Sequence, residues 1–173
     1  QIVGALKPFV DIWIGETISC LAEATAICDA LDGDDRPLWL SYTLRDETDS
    51  VPVLRSGESI ESACDLAKAR GADAILFNCS IPEVIGAALA RVGGVAERPA
   101  RFGGYANAFT PRAADAEANS DVAPLRDEIT PERYADSVMA WVDDGATLVG
   151  GCCGIGPEHI AVLRRRLDAR AQA

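Results

Sequence analysis

The sequence predicts an α/β fold built on a parallel sheet. Short apolar runs alternate five times with stretches of helical period, the order that parallel strands and crossover helices produce. A composition of 49% hydrophobic and 25% charged residues over 173 positions is ordinary for a soluble chain and ample for one core. No internal repeat or low-complexity tract interrupts that order.

Residues 1–6 read as the tail of a helix ended by Lys7-Pro8, because proline cannot continue a helix. Phe9 to Ile14 is expected as a buried strand stopping at Gly15-Glu16-Thr17. Ser19 is placed to cap a helix whose apolar face is Leu21, Ala24, Ile27, Cys28 and Leu31, with Gly33-Asp34-Asp35 closing it. Leu38 to Thr43, rich in aromatic and β-branched side chains, is the second strand, and Arg45 to Ser50 a polar loop. Ser59 caps a helix to Arg70, and Gly71 stops it. Ala74 to Phe77 is the third strand and delivers Asn78 and Cys79. Pro82-Glu83 opens a helix ended by Gly93-Gly94. Arg101 to Tyr105 makes the poorest strand, since Gly103 and Gly104 offer no side chains to pack. Asn107 to Ile129 forms a long polar connection, Thr130-Pro131-Glu132 starts a helix through Trp141, Ala146 to Val149 is the fifth strand, and Pro157 to Ala169 the last helix.

A net charge of −11 and a pI near 4.5 oppose broad attraction to nucleic acid or anionic lipid. No apolar run reaches the roughly 18 residues that span a membrane. Arg164-Arg165-Arg166, near the end of the last helix, suits the negative end of its dipole. Six cysteines, present as one adjacent pair and scattered singles, do not form the framework of a small secreted scaffold, so a cytoplasmic, reducing location is expected. The first residue is Gln1, which suggests a fragment or a processed segment.

The chemistry gathers at Gly150-Gly151-Cys152-Cys153-Gly154, after the last apolar run. Thiolates bind zinc at about 2.3 Å. Neighbouring side chains on a strand point to opposite faces, so two consecutive cysteines reach one ion only if the backbone turns between them, which flanking glycines permit. Cys79 offers a third sulfur. Against this stands the tendency of free cysteine to act as a small buried hydrophobe; Cys20, Cys28 and Cys64 are expected in helices, Cys28 and Cys64 on the apolar faces, and all three are read as structural. His159, in the first turn of the last helix, reads as a surface or capping residue.

The Gly150–Gly154 motif, Asn78-Cys79, and Gly15-Glu16-Thr17 followed by Leu21-Ala22-Glu23-Ala24 resemble the C-terminal portion of the homocysteine S-methyltransferases. The resemblance implies a zinc-dependent (β/α)8 TIM barrel, of which 1–173 would be the C-terminal part of the domain, carrying strands four to eight. Whole barrels of this type take about 250 residues. The missing N-terminal units, another chain or self-association would then have to cover the open sheet edges.

The implied reaction is methyl transfer to the thiol of homocysteine, giving methionine, with an undetermined small methyl donor. The implied ligands of Zn2+ are Cys79, Cys152 and Cys153, and the implied substrate-binding residue is Glu16, facing the substrate ammonium. Asn78 is expected to hold substrate or orient the metal shell, or else only to satisfy a turn; for Glu16 the alternative is stabilisation of a helix N-terminus. Glu16, Cys79 and the cysteine pair end the first, third and fifth strands, and alternate strands supply one interior layer of a barrel. Two other classes remain open at this point: a non-catalytic fragment stapled by zinc, and a redox protein using Cys152 and Cys153 as a vicinal dithiol.

Overall fold

The structure is a computed structural model of the chain, and it describes residues 1–113 and 123–172. The sheet is five-stranded, with order β1-β2-β3-β4-β5 and every neighbouring pair parallel. Its strands are β1 (Trp13–Ile18), β2 (Leu38–Tyr42), β3 (Ala74–Asn78), β4 (Arg101–Tyr105) and β5 (Leu148–Val149). The helices are α1 (Ile2–Leu6), α2 (Leu21–Ala30), α3 (Ile60–Ala69), α4 (Pro82–Gly94), α5 (Pro131–Asp143) and α6 (Pro157–Ala171). The expected α/β alternation is therefore present, strand by strand.

Side chains alternate along each strand, and the pairing register carries that alternation across the sheet. Leu40, Ile75 and Phe102 lie level on one face, as do Tyr42 and Phe77, and the helices seal this face: all five side chains are at most 3% exposed. The other face carries Ser41, Leu76, Asn78 and Tyr105, and at its C-terminal rim lies the candidate site.

Several local expectations hold for the stated reason. Ser59 accepts a hydrogen bond from the Ser62 N–H, and Thr130 one from the Arg133 N–H, so both helices start on a side-chain cap. Gly71 follows α3 with φ +69°, a conformation costly for other residues. The Asn107–Ile129 connection is described on either side of 114–122; that stretch of it lies outside the described residues.

Others are corrected. The first strand is Trp13–Ile18, not Phe9–Ile14: Lys7–Phe9 form a 3-10 turn, and Phe9 is 83% exposed. Its apolar pattern misleads because β1 is an edge strand among the described residues: Ile14 on it and Ile12 just before it remain exposed. Ser19 does not cap α2. The N-cap is Cys20, outside the helix, while Glu23 reaches back to accept from the Ser19 N–H and hydroxyl, and Glu58 accepts from the Leu21 N–H. The arginine cluster sits mid-helix in α6; Arg164 pairs with Asp168 on its own helix and Arg166 with Asp136 of α5, while Arg170 occupies the last turn. In β4, a Cβ on Gly103 would stand 1.7 Å from the Leu148 carbonyl oxygen, and one on Gly104 2.7 Å from Ile85. These glycines therefore let β5 and α4 close on the strand.

Candidate metal and substrate site

Three thiols meet at the C-terminal rim of β3, β4 and β5. The Sγ atoms of Cys79, Cys152 and Cys153 all lie within 4.8 Å of one another, and the Cys152–Cys153 pair is 3.8 Å apart. Tetrahedral geometry with bonds of about 2.3 Å requires sulfurs about 3.8 Å apart; the Cys152–Cys153 pair has that spacing, and the 4.8 Å bound on the trio leaves small side-chain shifts for Cys79 to join one zinc ion. Cys79 and Cys152 are half-buried and Cys153 is exposed, leaving an open side.

The backbone turns the sulfurs inward at strained positions. Cys79, immediately after β3, has φ +53°, the left-handed region that a non-glycine residue enters only when its surroundings demand it. Its N–H donates to the Tyr105 carbonyl at 3.3 Å. Beyond β5, Cys152 N–H donates to the Ala106 carbonyl at 2.8 Å and Ala108 N–H to the Cys153 carbonyl at 2.9 Å, so both cysteines are tied to the continuation of β4. The turn itself closes from Ile155 N–H to the Cys152 carbonyl. Gly154 is required there, with φ +79° and a would-be Cβ 2.6 Å from Leu125.

Proton sharing differentiates the thiols. The Cys79 thiol hydrogen bonds to Cys152 and holds it down to about 6, against the opposing effect of burial. That same bond, then burial, pushes Cys79 up. Burial and the neighbouring Cys152 charge raise Cys153. Without metal, Cys152 is thus the thiolate of the trio.

Glu16 projects from β1 onto the same rim and accepts a hydrogen bond from the Tyr105 hydroxyl at 3.2 Å. Burial, with the Glu16 charge added, raises the Tyr105 phenol, so it remains a donor. Asn78 is 1% exposed and its amide is committed within the chain. Its Oδ1 accepts from the Ser41 hydroxyl at 2.8 Å and the Thr17 N–H at 3.3 Å, while Nδ2 donates to Thr17 Oγ1 at 2.8 Å. Thr17 also has positive φ, +58°. Asn78 therefore fastens the residue after Glu16 to the strand that carries Cys79.

The structure gathers Cys79, Cys152 and Cys153 into one cluster, sets Glu16 beside them through Tyr105, and uses Asn78 to tie Thr17 and Ser41 to β3; Cys20, Cys28 and Cys64 are not in the cluster. His159 is a capping residue but a buried one, 7% exposed: Nδ1 accepts from the Gly156 N–H and Nε2 bonds the Ile129 carbonyl. Sequence reasoning gave no site role to Ser41 or Tyr105 and named Thr17 only within the Gly15-Glu16-Thr17 motif. A lone serine inside Leu38-Trp39-Leu40-Ser41-Tyr42 was a usable signal, whereas nothing in the sequence marks the backbone turn at Thr17.

A family model described as homocysteine S-methyltransferase matches residues 1–167. Homocysteine S-methyltransferase 2 of Arabidopsis thaliana is 29% identical over 92% of this chain and 46% of its own length. Selenocysteine Se-methyltransferase of Brassica oleracea var. italica is also 29% identical, over 92% of the chain and 44% of its own length. Among solved structures, the metallated form of the homocysteine methyltransferase MmuM from Escherichia coli superposes with a TM-score of 0.70 at 26% identity, covering 95% of this chain and 48% of that one. The chain spans about half the length of the relatives it matches, and its parallel β/α units correspond to part of a TIM-barrel-like structure. By the match over nearly all its residues, the chain belongs to the homocysteine S-methyltransferase family.

Proposed function

We propose that the protein containing this chain transfers a methyl group to the thiol of homocysteine, forming methionine, with Cys79, Cys152 and Cys153 holding Zn2+. The observation carrying this reading is the convergence of three sulfurs from two distant segments within 4.8 Å of one another, one pair of them at 3.8 Å. The family membership and the metallated state named for a relative support it. Zinc bound by three thiolates supplies a Lewis acid with an open position, which favours the deprotonated form of an incoming thiol near neutral pH.

The chain's own residues do the placing. The Glu16 carboxylate, steadied by the Tyr105 hydroxyl, receives the substrate α-ammonium. Asn78 holds the Glu16-Thr17 strand end at a fixed distance from Cys79 and so positions substrate through the backbone. In the transfer, the new bond joins sulfur to the methyl carbon, the bond from that carbon to the donor breaks, and the donor leaves with the electron pair; the thiol proton has already gone to solvent.

We also propose that 1–173 is the C-terminal part of a barrel domain. Among the described residues β1 and β5 each have one unpaired edge, and Ile14 on β1 and Ile12 just before it are exposed, so further β/α units are needed to cover them. Among the described residues no helix is long and apolar enough to cross a membrane.

The test is metal analysis and a methyl-transfer assay on the full protein, with homocysteine and candidate donors such as S-methylmethionine. One zinc per chain, activity that chelation removes and zinc restores, and methionine as product are expected. A folded, zinc-loaded protein with no transfer from any donor class would leave the structural-staple reading instead. Zinc absent from an active site whose Cys152 and Cys153 cycle through a disulfide would favour the dithiol reading.

A further inference from the structure

The hydrogen bonds between β4 and the cysteine turn depart from a regular ladder at Ala106. In a parallel ladder, a residue whose carbonyl accepts from position s+1 of its neighbour donates its N–H to the carbonyl of s−1. Gly104 accepts from the Gly150 N–H at 3.2 Å, and Ala106 accepts from the Cys152 N–H at 2.8 Å. The Ala106 N–H is therefore due to meet the Gly150 carbonyl. It goes instead to the hydroxyl oxygen of Tyr134, at 3.1 Å, and that hydroxyl donates onward to the Gly150 carbonyl at 2.6 Å.

An oxygen atom thus stands inside the ladder where a direct bond of about 2.9 Å would otherwise close it. The Gly150 N–H to Gly104 and Cys152 N–H to Ala106 rungs on either side are direct, and the strands are parted at Gly150, directly before Gly151-Cys152-Cys153; one step further on the Ala108 N–H meets the Cys153 carbonyl in place of that of Cys152, so the register shifts by one residue within the cysteine pair. Tyr134 reaches this position from α5 and is fully buried. Its ring is fixed edge-on by Trp141, at 6.3 Å and 86°, and by His159, at 6.0 Å and 79°. His159 is itself held at both ring nitrogens, which gives the lone histidine a place in the same support.

We propose that the Tyr134 hydroxyl is a spacer built into the β4–β5 ladder, which opens the backbone at Gly150 so that Cys152 and Cys153 both turn toward one metal ion. Tyr134 is a positioning residue, and the proposal rests on the zinc reading above. A phenylalanine ring would fill the same core volume but could not bridge the two strands. The Ala106 N–H and Gly150 carbonyl would then either close on each other, drawing the turn out of shape, or lose their partners. Residues that orient metal ligands typically change affinity by about 10- to 100-fold when altered.

The experiment compares Tyr134→Phe with Val138→Ala in the full protein. Val138 is fully buried one turn further along α5, so its truncation tests general loosening of the same helix. Cobalt titration reads affinity and, through thiolate-to-cobalt charge-transfer intensity, the number of sulfurs bound. Tyr134→Phe is expected to bind cobalt about 10- to 100-fold more weakly with a smaller charge-transfer band. Val138→Ala is expected to melt at lower temperature with both readings unchanged. In metal-free protein, amide exchange at Ala106 and Cys152 is expected to quicken in Tyr134→Phe relative to Gly104. Unchanged cobalt affinity and band in Tyr134→Phe overturn the proposal, as does an equal loss in Val138→Ala. If the unaltered protein shows no thiolate–cobalt band, the zinc reading has failed, and unchanged exchange at Ala106 and Cys152 then overturns the spacer independently.

Discussion

The two sides of the candidate site are built differently. On the cysteine side, the sulfurs sit on backbone tied down from several directions: β3 through Cys79, the continuation of β4 through Ala106 and Ala108, and α5 through Tyr134. On the Glu16 side, the carboxylate stands on the edge strand β1, with the Tyr105 hydroxyl as its hydrogen-bond partner and exposed Ile12 and Ile14 nearby. The difference teaches that the sulfur cluster is organised within this chain, whereas the proposed substrate pocket depends on whatever covers the β1 edge.

The largest effect that would sharpen this contrast comes from removing a sulfur. Structural zinc binding is worth about 10–16 kcal/mol, and loss of one of three thiolates is expected to remove about a third of it, or roughly 10²- to 10⁴-fold in affinity. Competition with a chelator on Cys79→Ala should show this; zinc held as tightly as before would dissolve the cysteine side as a metal centre. On the opposite side, Glu16→Ala is expected to weaken homocysteine binding by about 2 to 5 kcal/mol while zinc stays in place. If a titration finds affinity unchanged and only the melting temperature lowered, Glu16 serves the fold and the contrast fails.

Between the sides lies Asn78. Asn78→Ala leaves the Ser41 hydroxyl and Thr17 groups without their partner, which should cost about 1–3 kcal/mol of stability and weaken homocysteine more than zinc. Equal losses of both ligands would mean that Asn78 supports the metal side directly. The smallest effect is one of reactivity. In metal-free protein, the hydrogen bond from Cys79 keeps Cys152 ionised above a pH of about 6. A lowered pKa means that the thiolate is present above that value and lost as pH falls through it, so alkylation of Cys152 should rise through this range. In Cys79→Ala it should rise nearer the ordinary thiol value of about 8.5. An inflection near 8.5 in the unaltered protein would remove the proton sharing.

Much of the cysteine side was legible in the sequence, because glycines on both sides of Cys152-Cys153 announce a turn that a strand does not make. The helices with side-chain caps were equally legible, since Ser59 and Thr130 act locally. What escaped was set by contacts between distant segments. β1 was misplaced because Phe9, Ile12 and Ile14 have the apolar pattern of a buried strand, yet lie beside an edge that pairs with no strand among the described residues. β4 looked poor because glycines bring no side chains to pack, yet here they admit Leu148 and Ile85. Tyr134 has the spacing of a core residue and is one; its hydroxyl matters only because the ladder has a gap there.

The central claim is that the three thiols form one metal site open to a substrate thiol. Zinc-edge X-ray absorption on the zinc-loaded full protein, before and after homocysteine is added, tests it most directly. The account predicts three sulfur neighbours at about 2.3 Å without substrate and four with it, the non-sulfur neighbour being lost. A zinc shell that already holds four protein ligands, or one that homocysteine leaves unchanged at saturating concentration, would contradict it.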